Sequence, residues 1–331
     1  MSKRFNMLQD WLQTNLGIKA PQLVAITNDA SFRRYFRVIA NDVSYIVMDA
    51  PPDKENCAPF IDVAKRLQSS GLNVPQIVAS HLEQGFLLLT DLGSQLYLSA
   101  LNEEAQVESL YSDALQALMV MQVRTDSSTL PLYNHHLLHQ EMNLFTDWLI
   151  GKHLDLSLEA SEREGLEKCF ELLSAAALSQ PQVFVHRDYH SRNLMVVSQN
   201  NPGILDFQDA VKGPVTYDLV SLLRDCYIAW PRERVDEWGK HYYKQAQHIL
   251  NEVSEAQFLR WFDWMGIQRH LKASGIFARL YHRDGKSGYL KDIPRTLNYI
   301  VEVSADYPEL ATLHKLVNER VLPKAKALTS N

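Results

Sequence analysis

Phe5, Leu8, Leu12 and Leu16 recur at helical spacing, and Gly17 closes that first helix. The period then shortens. Gln22–Thr27, Arg33–Ile39 and Val43–Asp49 read as β-strands, and around the second of them Phe32, Arg34, Phe36 and Val38 alternate with Arg33, Tyr35 and Arg37. Pro51-Pro52 breaks the chain, 59–69 reads as a helix ending at Gly71, and 76–80 and 86–90 read as two more strands. Beyond Asp91-Leu92-Gly93 the apolar positions take up helical spacing over 103–123, 135–150 and 161–178. A strand-rich island spans 182–207. Helical periodicity resumes near Thr216 and runs, with interruptions, to about residue 320, with 217–230 reading as one helix.

This pattern predicts an α+β chain of two lobes: a small β-rich N-lobe over 1–90, a hinge at 91–93, and a larger, mainly helical C-lobe over 94–331. A cleft between lobes is a common place for a small-molecule site. Composition narrows the function without naming it. The 331 residues are 46% hydrophobic and 22% charged, as in ordinary globular proteins. A net charge of −6 argues against a general nucleic-acid or membrane-surface partner, since both need a basic excess. Lys3 and Arg4 have no continuous apolar stretch behind them, so the start does not read as a signal peptide. Three scattered cysteines, Cys57, Cys169 and Cys226, form no disulfide framework, and the expected location is the cytoplasm. No obligate protein partner is evident.

The chemistry concentrates in 183–197 and 203–209, two apolar segments that each end in polar groups. His186, Asp188 and Asn193 form H-x-D-x-x-x-x-N, and Asp206-Phe207 follows 13 residues after Asn193. Phosphoryl transfer needs one carboxylate beside the attacking hydroxyl, and a second carboxylate with an amide oxygen to hold Mg²⁺ against nucleotide phosphates. Asp188 fits the first role, Asn193 and Asp206 the second, and His186 a bracing role in the loop. As plain loop chemistry the same residues would be turn formers. The strands on either side and the trailing Asp-Phe favour catalysis.

These motifs resemble the aminoglycoside phosphotransferase/choline kinase superfamily, in the stretches His186–Asn193, 205–210 and 213–219. The resemblance implies a protein-kinase-like fold, ATP and Mg²⁺ as cofactors, Asp188 as base, Asn193 and Asp206 as metal ligands, and Asp218 as support for the catalytic loop. The blocks 28–38, 47–52, 205–211 with 217–225, and 266–272 with 275–280 are similar to the branch that phosphorylates the anomeric hydroxyl of the cell-wall amino sugars N-acetylmuramate and N-acetylglucosamine. The small-molecule amino sugar is then the acceptor. Aminoglycoside or choline-like acceptors are the alternative within enzymes. A silent nucleotide sensor is the alternative outside them, because the third strand, Tyr45–Asp49, lacks the lysine that the superfamily carries there.

Arg33 and Arg34 are the candidates for holding phosphate in place of that lysine, Ser31 can donate to phosphate from the glycine-free loop 28–32, and Thr90, Asp91 and Leu92 offer hinge groups to adenine. For the acceptor the candidates are Arg224, Asp225 and Tyr227 on the 217–230 helix, Glu141, and Arg269, which shares a helix face with Gln268 and Lys272. His135, His136 and His139 lie close together. His135 and His139 can share a helix face, but no H-E-x-x-H accompanies them, and a solvated helix start accounts for them more simply.

Overall fold

The computed structural model describes residues 3–17, 21–26 and 32–329, arranged as a bilobal α+β fold. After α1 (Lys3–Leu16) come β1 (Val24–Ile26), β2 (Arg34–Ala40) and β3 (Val43–Asp49). Next are α2 (Ala58–Ser69), β4 (Ile77–His81) and β5 (Phe86–Thr90). The five strands form one antiparallel sheet in the order β1-β2-β3-β5-β4. The first predicted strand is shorter than expected, and its last residue, Thr27, lies outside the described residues. β2 and β3 are joined by Asn41-Asp42 with φ of 50° and 63°, the left-handed pair that matches the twist of a two-residue hairpin.

Alternation along the strands builds two cores. Phe36, Val38, Val47, Phe86 and Leu88 pack with Leu8, Trp11 and Leu12 of α1. Met48, Leu87 and Leu89 share a core with Phe60, Val63, Ala64 and Leu67 of α2. Each fully buried side chain of this size contributes about 1.5–3 kcal/mol. The second core continues into the other lobe, where the rings of Phe60 and Phe207 lie 4.9 Å apart. At Gly85 (φ 69°) a Cβ would fall 1.8 Å from the Ala50 carbonyl oxygen, so this close approach of two backbones requires glycine.

The larger lobe opens with α3 (Tyr97–Ala100), α4 (Glu104–Arg124) and α5 (His135–Leu144). A π-helical segment (Phe145–His153) and α6 (Ala160–Leu178) follow. Four short strands, β6 (Gln182–Val185), β7 (Leu194–Met195), β8 (Gly203–Ile204) and β9 (Val211–Pro214), pair as β6–β9 and β7–β8. Then come α7 (Tyr217–Leu223), α8 (Arg232–Gln245), α9 (Gln247–Leu250), α10 (Glu255–Asp284), α11 (Ile293–Ser304) and shorter helical turns to Thr329.

The 30-residue α10 is capped by the Ser254 hydroxyl at its start and by Gly285 at its end. Its middle is buried nearly all round, because α5, α6, α7 and α11 all pack against it. At Gly275 a Cβ would lie 2.3 Å from the Leu144 carbonyl carbon, so α10 touches the backbone at the end of α5.

One predicted helix is corrected. The 217–230 segment stops being helical after Leu223: Arg224 turns out of the helix (φ −119°, ψ 53°), and Asp225 is drawn to Ser191. Among the described residues no helix is long and apolar enough to cross a membrane.

Candidate active site

The loop between β6 and β7 carries His186, Asp188 and Asn193 and is tied at both ends by buried carboxylates. Asp218, on α7, accepts the backbone N–H groups of His186 (2.6 Å) and Arg187 (3.0 Å). Burial pushes its carboxyl up to about 7 even though these two N–H groups favour the anion. Asp225 accepts the N–H of Ser191 (3.0 Å) and its hydroxyl, and also the N–H of Tyr227 (2.9 Å). Tyr189 anchors the loop's middle by donating to the Ala114 carbonyl at 2.9 Å.

Within this frame His186 is a brace. Its Nε2–H donates to the Leu205 carbonyl (3.0 Å), and its Nδ1 accepts the Asp188 N–H (3.2 Å). Burial holds the ring down to about 4, so it is neutral near pH 7. Arg187 has φ 78°, a left-handed conformation that costs a non-glycine residue about 1–3 kcal/mol. The superfamily pattern has glycine at this position. Here the Asp218 bond to its N–H and an ion pair from its guanidinium to Glu141 hold it.

Asp188 is partly buried. Burial alone would raise its pKa, but Lys272, His190, Arg269 and Arg187 around it hold it below the ordinary carboxylate value. Asn193 joins the two halves of the site, since its Nδ2 donates to the Asp188 carbonyl (3.0 Å) and lies 3.4 Å from Asp206 Oδ2. Asp206 sits just past β8 at φ 62°, with Oδ1 receiving the Gln208 amide at 2.8 Å. The amide oxygen of Asn193 and the carboxylate of Asp206 make an all-oxygen donor set, which fits a hard cation such as Mg²⁺.

The predicted acceptor residues divide. Glu141 is buried, not lining an open pocket. It holds Arg187, Lys272 (3.0 Å) and the Tyr133 hydroxyl, with the Gln268 amide at 3.5 Å. Burial opposes its charge, but Lys272 and Arg187 keep its pKa low. Lys272 also donates to the Tyr217 hydroxyl at 2.8 Å.

The face of α10 bearing Gln268, Arg269 and Lys272 is thus buried rather than solvated. Arg269 reaches Cys226 Sγ at 3.8 Å and leaves its Nε–H without a partner. Arg224 is buried, pairs with Asp263 at 2.6 Å and lies over the Phe262 ring. Asp225, just past the end of α7, is turned onto the loop, where Ser191 and Tyr227 take up its carboxylate. Tyr227 borders the loop beside His190, with the Arg192 guanidinium over its ring at 4.6 Å and over Tyr289 at 5.3 Å.

At the sheet, Ser31 lies outside the described residues. Arg33 pairs with Glu55 at 3.0 Å. Arg34 pairs with Asp49, a fully buried carboxylate at the end of β3 that Arg4 also holds, and its own side chain stays 42% exposed. In the hinge the Thr90 hydroxyl accepts the Gln76 N–H (2.9 Å). Asp91 is taken up by Arg37 (2.6 Å), Ser44 (2.6 Å) and the Gly93 N–H (2.9 Å), so its carboxylate is not offered to a ligand. Leu92 packs against Gly203 of β8, where a Cβ would come within 2.9 Å of its Cδ1.

Sequence reasoning did not single out Arg187, Arg192, Ser191, Tyr133 or Tyr217 for the site. Arginine in the glycine position of the H-x-D motif was the available signal for the first. A separate cavity of about 470 Å³ lies between the π-helical segment and α6, lined in part by Asp147, Ile150, Arg163 and Phe170. None of Asp188, Asn193 and Asp206 lines it.

The profile of the phosphotransferase enzyme family matches residues 22–261. A protein of Pseudomonas aeruginosa named N-acetylmuramate/N-acetylglucosamine kinase is 45% identical, with 95% of this chain and 96% of that one covered. A Caulobacter vibrioides protein of the same name is 30% identical over 87% of this chain and 89% of that one. Among solved structures, an ADP-bound aminoglycoside phosphotransferase is 16% identical with a TM-score of 0.60, covering 90% of this chain and 98% of that one. A choline kinase from Streptococcus pneumoniae is 13% identical with a TM-score of 0.63, over 91% and 100%. At such identities these two structures speak to the kinase-like fold.

Proposed function

The chain belongs to the phosphotransferase enzyme family, and we propose that it transfers the γ-phosphoryl group of ATP to the anomeric C1 hydroxyl of N-acetylmuramate and N-acetylglucosamine. Two facts support the acceptor: relatives at 45% identity over nearly the whole chain carry that name, and the site suits that hydroxyl. The observation that carries the reaction is the Asn193 amide, which ties the Asp188 backbone to the Asp206 carboxylate and so fixes a base beside a cation-binding pair.

Asp188 orients the acceptor hydroxyl and takes its proton as the O–P bond forms. The cations around it keep it ionised at neutral pH, which also makes it a weak base. A hemiacetal hydroxyl is more acidic than an ordinary alcohol, so a weak base suffices there. His186, neutral and doubly hydrogen-bonded, sets the position of the Asp188 backbone. Asn193 and Asp206 would hold Mg²⁺, which when bound neutralises charge building on the phosphates.

For the missing strand lysine, Arg34 is the stronger candidate of the two described arginines. It is half-exposed at the sheet, whereas the Arg33 side chain is nearly covered against Glu55. Tyr227, Tyr289 and Arg192 offer an aromatic and cationic flank of the kind a sugar with an apolar face and a carboxylate would use. Backbone groups of Thr90, Asp91 and Leu92 would receive adenine, and the 1–90 and 94–331 portions would clasp the nucleotide about that hinge.

The test is ADP release with ATP and Mg²⁺ across N-acetylmuramate, N-acetylglucosamine, glucose, choline, homoserine and kanamycin. Turnover is expected on the two N-acetyl sugars and is abolished when C1 is blocked as a methyl glycoside. Silence on both sugars with turnover on kanamycin or choline overturns the acceptor.

A further inference from the structure

Away from the catalytic loop, two pairs of side chains face each other where α5 packs on α6. His135 and His139 are one turn apart on α5, and Glu167 and Glu171 one turn apart on α6. The two imidazole rings stack with centroids 4.2 Å apart. His135 Nε2 lies 3.0 Å from one oxygen of Glu171, and His139 Nε2 lies 3.4 Å from the other. The three candidate ligand atoms fall within 4.8 Å of one another. His139 Nε2 is closed off from solvent and makes no hydrogen bond, while Nδ1 of the same ring sits 3.6 Å from Glu167.

We propose that His135, His139 and Glu171 bind a divalent transition-metal ion, zinc by the chemistry of the donors, and that Glu167 orients His139 from behind. Bonds of about 2.0–2.1 Å in a tetrahedron put neighbouring ligand atoms about 3.3–3.4 Å apart, so three atoms already within 4.8 Å need only small side-chain shifts that bring one Glu171 oxygen to both rings in place of the present His135–Glu171 contact. Two imidazoles with one carboxylate suit zinc and not magnesium or calcium, so the site is chemically distinct from the all-oxygen pair Asn193 and Asp206. A histidine that ligates a metal through one nitrogen commonly gives its other N–H to a carboxylate, which is the place Glu167 occupies.

The two rings stack over one carboxylate with centroids 4.2 Å apart, so a single ion can reach both. Half-exposed His135 and Glu171 leave an entry path, and water completes the fourth position. The bound ion cross-links α5 to α6 and so steadies the helix whose other end carries Glu141. This inference does not depend on the identity of the phosphate acceptor.

Zinc titration of the metal-free protein by calorimetry tests it, beside His135→Ala and Glu167→Gln. The unsubstituted protein should bind one zinc ion more per chain than His135→Ala, and zinc should raise its melting temperature but not that of the variant. Glu167→Gln should keep the stoichiometry and bind about 10–100-fold more weakly. Cobalt substitution should give visible d–d absorption of a four-coordinate site that His135→Ala lacks. Because His135 is half-exposed, the variant's metal-free melting temperature shows that it is folded. Equal stoichiometry and affinity in the two proteins, or no zinc binding by the unsubstituted one, overturns the site. Unchanged affinity in Glu167→Gln removes Glu167 from it.

Discussion

The catalytic loop and the sheet rim use charge in opposite ways. In the loop the carboxylates are buried and hold backbone: Asp218 takes two N–H groups, and Asp225 takes those of Ser191 and Tyr227. At the rim, arginine side chains do most of the holding, in Arg33–Glu55, Arg34–Asp49 and Arg37–Asp91. Charge-assisted bonds to backbone in a dry interior fix atoms in place. Of the three rim arginines Arg34 keeps the most exposed side chain, 42%, over a carboxylate that Arg4 also holds. The first arrangement suits the fixed base proposed at Asp188, and the second leaves Arg34 as the arginine of the three most open to the proposed nucleotide.

The sharpest break in that comparison is Asp188→Asn, which should lower kcat by about 10²–10⁴-fold while leaving the KM for ATP nearly unchanged. Steady-state kinetics decides it, and near-normal turnover would remove Asp188 as the base.

Acid separates the two regions next. His186 is held at about 4 in the fold against an ordinary 6.5, so between those values the unfolded chain takes up a proton that the native ring refuses. Its contribution is whole above pH 6.5 and is lost as pH falls toward 4, an effect of about 3 kcal/mol. His270, held at about 3, adds a loss of the same sign. At the rim, burial works against the Asp91 charge, but Arg37 and Ser44 hold its pKa below the ordinary carboxylate value. Its share is therefore lost only at lower pH. Asp218 works the other way: held up at about 7, it takes up a proton in the fold that an unfolded carboxylate refuses above about 4, and so offsets much of that loss. Urea midpoints should therefore stay nearly level from pH 7.5 to 5.5 and fall between 5.5 and 4.5, and a rise over the lower interval would contradict the buried neutral rings.

The smallest effect is expected at the rim itself. Arg34→Ala should raise the KM for ATP up to about tenfold with kcat little changed, and shift stability by under about 1 kcal/mol. A kcat loss with unchanged KM would place Arg34 outside the nucleotide site.

The sheet and the core of the loop were legible because their signals are local. Alternation marked β2, and Asp188, Asn193 and Asp206 sit within two adjacent turns of chain. The 217–230 helix was misread because Cys226, Tyr227 and Ile228 keep the segment apolar after the helix ends, while the force that ends it is the long-range bond between Asp225 and Ser191. Arg224 looked available since its partner, Asp263, comes from α10 and not from a neighbouring turn. The Glu141–Lys272–Arg187 network joins three distant segments, and no spacing rule connects them.

The contact between Gly275 and Leu144 gives one atom unusual leverage. α10 rests directly on the last residue of α5, three positions beyond Glu141 and five beyond His139. A single methyl group at position 275 would pry that helix outward and carry both the carboxylate paired with Arg187 and the stacked imidazoles with it. Two chemically unrelated clusters thus inherit their spacing from the same missing side chain, and drift in sequence at that point would be felt in both at once.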